Sequence, residues 1–172
     1  METSKRLFRS RVYLVADRLG LEQTKVTKYV NTYFNLCHRD LLAGRVVQIH
    51  GFATLIPNVI TNEFVKTTAL YCKEVAAIEN TTYYTVREIM RAFFDSCMED
   101  LMDGQSVTFR TLVTLTPEIR QGTVVKIYSS LSATINNELQ QQKSDVTSAR
   151  SHLSKLLKSN LQRKIPVEVA AV

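Results

Sequence analysis

The chain repeats itself at a fixed offset of 60 residues, and this duplication limits the possible folds more than any other feature. From Val12 to Pro57 the sequence registers without a gap on Cys72 to Pro117. Phe34 falls on Phe94, Cys37 on Cys97, Asp40 on Asp100, Leu41 on Leu101 and Gly44 on Gly104. Farther along, Val47 meets Val107, Thr54 meets Thr114, Leu55 meets Leu115 and Pro57 meets Pro117. A unit of about 60 residues buries little surface alone, so the two copies are expected to share a core or to stack as a two-module rod.

Each copy has the pattern of helix, longer helix, strand, strand. Ser4 can cap a first helix to Arg18, with Phe8, Val12, Val15 and Leu19 on one face and Gly20 at its end. A second helix from Gln23 carries the stripe Val26, Val30, Tyr33, Phe34, Cys37 and Leu41 and stops at Gly44. Strands Arg45–Ile49 and Phe52–Ile56 flank the turn His50-Gly51, and Pro57 ends the unit. Copy two repeats this with helices Val65–Ile78 and Tyr83–Met102 and strands Gln105–Arg110 and Leu112–Thr116. It then continues through the turn residues Arg120-Gln121-Gly122 into a third strand, Thr123–Tyr128, and a short helix with Leu131, Ile135 and Leu139. Copy one has no counterpart of these last two elements, so its sheet is expected to expose a free edge.

From Ser144 a further helix is expected to about Arg163, with Val146, Ala149, Leu153, Leu156, Leu157 and Leu161 in a narrow apolar seam. Pro166 ends it, and Ile165, Val167 and Val169 alternate as in a strand that could add to an open edge. The expected organisation is therefore repeat one over residues 1–60, repeat two over 61–142, and a C-terminal helix and extended tail over 143–172. The seam residues could dock on their own chain or on a partner.

The charge is uneven. The net charge is +6, with nine Lys/Arg against four Asp/Glu in residues 1–60 and seven against ten in residues 61–140. A basic first copy suits an anionic partner, and an acidic second copy does not extend that surface. The three cysteines lack paired spacing and sit in apolar patterns, which fits buried thiols. With no 18-residue apolar run and no signal-peptide pattern, a chain outside the membrane and not secreted is expected.

The unit resembles the HU and integration host factor family. The resemblance rests on Leu19-Gly20-Leu21, the long helix, and Leu42 to Leu55, where Gly51-Phe52 match the first positions of the family's Gly-Phe-Gly-x-Phe turn. In copy two the helix, Gly104 and the following strand match, and Val125 to Leu139 resembles the family's third strand and terminal helix. The resemblance implies an α+β fold of two tandem HU/IHF-like repeats, with helices under a saddle of strands. It also implies binding to double-stranded DNA through long basic arms that enter the minor groove. Here the arm's place in copy two holds only Glu118 to Gly122. The body is therefore expected without the arm.

No Gly-rich phosphate loop, HExxH or nucleophile elbow is present, so no enzyme activity, metal or cofactor is expected. The nucleic-acid candidates are Arg45, His50, Arg110, Arg120 and Lys126 on strands and turns. The partner-docking candidates are the tail residues above and the aromatic pair Tyr83-Tyr84. Two functions follow as expectations. One is a non-catalytic assembly protein binding other subunits, such as a bacteriophage virion ring or tail component. The other is a DNA-binding architectural protein, a single-chain pseudo-dimer on the duplex backbone. The location would be the virion in the viral case and otherwise the cytoplasm, on the nucleoid.

Overall fold

A computed structural model describes residues 8–49, 52–57, 60–109, 112–132, 135, 137–138 and 146–150. The fold is mixed α+β. Its elements run α1 (Phe8–Leu19), α2 (Gln23–Leu42), β1 (Arg45–Ile49), β2 (Ala53–Pro57) and β3 (Asn62–Lys66), then α3 (Thr68–Ile78), α4 (Tyr83–Met102), β4 (Val107–Phe109), β5 (Val113–Arg120), β6 (Thr123–Leu131) and β7 (Val146–Arg150). Two sheets form, ordered β3-β1-β2-β7 and β4-β5-β6.

The 60-residue offset recurs in the backbone. Hairpin β1–β2 pairs Val47 with Leu55 and Ile49 with Ala53, and hairpin β4–β5 pairs Val107 with Leu115 and Phe109 with Val113. Each long helix ends on a glycine at positive φ, Gly44 at 79° and Gly104 at 80°, and both donate to the carbonyl three residues back at 3.1 Å. A side chain is strained in that left-handed region, which is why the stop residue is glycine in both places. The break after the first helix is Gly20 in one half and Asn80, at φ 50°, in the other; asparagine tolerates this conformation better than most residues.

The contacts between the halves come in reciprocal pairs. Phe34 packs on Phe93 with ring centroids 5.8 Å apart, and the counterpart pair Tyr33–Phe94 is also 5.8 Å apart. Phe8 lies 6.0 Å from Phe93, while its counterpart Thr68 meets Tyr33 through a 3.0 Å hydroxyl–hydroxyl hydrogen bond. The Arg11 guanidinium sits 5.8 Å over Phe93, and Tyr71, at the equivalent position, lies 5.6 Å from Tyr33. Phe34–Phe94, at 6.4 Å, is its own counterpart. Reciprocity of this kind is the signature of an isologous interface, here inside one chain. Phe52 and Phe109 close the aromatic cluster from the sheet side.

Several expected boundaries are corrected. Val65 is a strand residue in β3, which adds parallel to β1, and α3 starts only at Thr68. Leu131 closes β6 instead of opening a helix. Residues 146–150 were expected to be helical; they form β7, antiparallel to β2, with Leu55 opposite Ala149. The free edge expected in the first half is therefore filled, because β7 stands to β2 as β6 stands to β5, where Leu115 faces Ser129. An unpaired strand edge beside Leu55 offers a full row of backbone donors and acceptors, and pairing with it outweighs a weak helical seam. Ser4 and the expected helix and tail beyond residue 150 lie outside the described residues.

Candidate functional site

The hairpin β5–β6 holds Arg120 and Lys126, two of the nucleic-acid candidates. It ends in a two-residue turn in which Gln121 and Gly122 both have positive φ, 51° and 74°. Such a turn matches the strand twist and closes the hairpin tightly. Near the tip, Glu118 accepts from Arg120 Nε at 2.8 Å and from the Tyr128 hydroxyl at 2.7 Å, and the Lys126 ammonium sits 4.6 Å from the Tyr128 ring centre. These hydrogen bonds hold the Glu118 carboxyl below its ordinary pKa. The cluster joins two cations, one anion and one aromatic on an exposed surface.

Arg45 lies on the other sheet, half-buried at the start of β1, opposite Asn62 in the ladder. It is not joined by any described contact to Arg120 or Lys126. His50 and Arg110 lie outside the described residues, as do Leu153, Leu156, Leu157, Leu161, Ile165, Val167 and Val169. Tyr83 and Tyr84 open α4 with their rings 5.5 Å apart. Tyr84 is 71% exposed, while Tyr83 turns inward to line a groove of about 620 Å³ between α3 and α4, with Thr68, Cys72, Met90 and Arg91.

The residues missed in the sequence are the buried charges that tie the halves together. Arg11 reaches Asp100 at 2.5 Å, both almost fully buried. At the counterpart position, Asp40 accepts from Lys66 at 2.9 Å and from Arg39 at 2.8 Å, and Lys66 also contacts Glu74. Burial pushes the Asp40 and Glu74 carboxyls up, but hydrogen bonds and charge from Lys66 and Arg39 outweigh it and hold both below the ordinary range. Arg11 inside the stripe Phe8–Val12–Val15, and Asp40 recurring as Asp100 inside apolar stripes, were the available signals.

The three thiols are buried and free. Burial pushes Cys72 up to about 11 and Cys97 up to about 12, so they stay protonated and poorly nucleophilic. Among the described residues no group of His, Cys, Asp and Glu is arranged to hold a metal ion, and no helix is long and apolar enough to cross a membrane.

No protein-family model, curated protein or solved structure matches this chain.

Proposed function

We propose that this chain is a non-catalytic structural protein that assembles with other protein subunits, built from two tandem, armless HU/IHF-like repeats. A component of a large complex, such as a bacteriophage virion ring or tail, is the specific form of this reading. The observation that carries it is the outer strand of the first sheet. On β3, Phe64 is 61% and Val65 41% exposed, and Ile60 just before it is 46% exposed. Among the described residues no strand pairs with the outer edge of β3. Edge strands are commonly protected by lysine, proline or a bulge. β3 is bulged against β1 and ends in Lys66, but Lys66 is turned inward to Asp40 and Glu74, and the exposed apolar side chains of Phe64 and Val65 suit strand addition by another subunit. The repeated hairpin register, Val47 with Leu55 and Val107 with Leu115, supports the tandem-repeat part of this reading.

A second reading, contact with the duplex backbone, draws on the exposed cations Arg120 and Lys126 and on the net charge of +6. One set of samples separates the two. Sedimentation analysis of the wild type is expected to give species heavier than the 19.6 kDa chain, and Val65→Lys is expected to lower their mass. A wild type that stays at the mass of one chain contradicts the assembly reading, and a wild type and variant of identical mass contradict the role of β3 in it. Tight duplex binding that weakens steeply with added salt would put the DNA reading in its place.

A further inference from the structure

The solvent-facing stripe of α4 is complementary in charge to itself. Phe93, in the middle of the helix, is fully buried, so the side opposite it faces outward. At 3.6 residues per turn that outward line carries Tyr84, Arg91, Asp95 and Met102. Tyr84, Arg91 and Asp95 are exposed, while Met102 is half-buried and packs partly against the chain's own core, leaving only part of its side chain on this face. The positions are symmetric about Phe93: Arg91 lies two residues before it and Asp95 two after, Tyr84 nine before and Met102 nine after. The exposed first half of the helix carries Arg87, Glu88 and Arg91, a net positive charge, and the second half carries Asp95, Glu99 and Asp103, a net negative one.

We infer that α4 is a self-docking surface that binds α4 of a second copy of this chain, antiparallel, about a twofold axis beside Phe93. In that register Arg91 of each copy meets Asp95 of the other, and Tyr84 of each meets Met102 of the other. The two ion pairs lie side by side at the centre, with an aromatic–thioether contact closing each end. Among the described residues neither Arg91 nor Asp95 has an ion-pair partner in its own chain; Glu99, by contrast, is held by Arg18 at 3.1 Å. The antiparallel arrangement also sets the positive end of each helix against the negative end of the other. The counterpart positions on α2 are Thr24, Asn31, Asn35 and Leu42, without a charge, so the surface exists once per chain and the contact closes as a dimer.

This contact deepens the assembly reading by naming one partner, and it is tested apart from β3. In a Val65→Lys background, sedimentation equilibrium over micromolar to millimolar protein is expected to show a monomer–dimer equilibrium that weakens with salt. Arg91→Asp and Asp95→Arg should each shift it at least tenfold toward monomer, since each places like charges opposite one another. Mixing the two single variants should restore dimer, because only the heterodimer again pairs opposite charges at both sites; a folding defect cannot produce that recovery. A monomer throughout in the Val65→Lys background, single variants that leave the equilibrium unchanged, or a mixture without recovery overturns the α4 contact. Each of these leaves the role of β3, read from wild type against Val65→Lys, to stand or fall separately.

Discussion

Lys66 shows what a single buried charge does in this fold. Its ammonium bridges Asp40 on α2 and Glu74 on α3 and lies 4.5 Å from the centre of the Tyr71 ring. Taking an ammonium out of water costs several kcal/mol, and only paired carboxylates with good geometry offset it. The carboxyls of Asp40 and Glu74 titrate below their ordinary values in the fold. A depressed folded pKa contributes stability that is complete above the unfolded pKa of about 4 and is lost as pH falls through the folded value. Wild-type stability is therefore expected to drop on acidification below about pH 4. Lys66→Met should cost about 2–3 kcal/mol at neutral pH, because Asp40 keeps only Arg39, itself 54% exposed. The variant should also show a shallower fall toward acid. Urea midpoints measured from neutral to acidic pH check both statements, and parallel curves for the two proteins would contradict the assignment.

Among the elements, the hairpins depend on what their ends can accommodate. Gly104 ends α4 at φ 80°, and a Cβ there would collide with the Ile119 side chain from the hairpin tip. Gly20, at φ 63°, has open space around it. Gly20→Ala therefore meets only the left-handed backbone penalty, about 1–2 kcal/mol, while Gly104→Ala adds to it the smaller cost of turning the half-exposed Ile119 side chain aside. Adding Ile119→Ala should remove the excess at Gly104 and leave Gly20→Ala unaffected, a coupling that a thermal double-mutant cycle measures. The paired glycine stops and the long helices were legible in the sequence: Gln23 and Tyr83 were expected as helix starts and are observed as such. The strands β3 and β7 were not. Val65 continues a helical-looking run into α3, and residues 146–150 share a seam pattern with the leucines after them. In both places a distant strand edge decides the local conformation, and pairing of that range leaves no periodic mark in a short segment. The site was legible to a smaller degree. Arg120 and Lys126 fall on one hairpin as expected, but their engagement with Glu118 and Tyr128 depends on a bulge between Glu118 and Ile119 that sequence spacing does not register.

At the scale of the whole molecule, the shared aromatic core decides how the chain unfolds. Tyr33 and Phe34 of α2 interleave with Phe93 and Phe94 of α4, and Phe109 from the second sheet stacks on Phe34 at 5.5 Å. Neither half can separate without exposing these rings, and the buried Arg11–Asp100 pair would be broken into two unpaired charges at the same time. The halves are therefore expected to unfold together despite their separate sheets. Calorimetry should give one transition whose calorimetric and van't Hoff enthalpies agree. Phe34→Ala should cost about 3–5 kcal/mol, as should Phe94→Ala, because each opens a cavity in the same cluster. The two rings touch, so the double variant should lose less than the sum of the single losses; the second truncation enlarges a cavity that the first has already opened. Two resolved transitions, or strictly additive losses at Phe34 and Phe94, would mean that each half carries a core of its own and that the reciprocal contacts join two independently stable bodies.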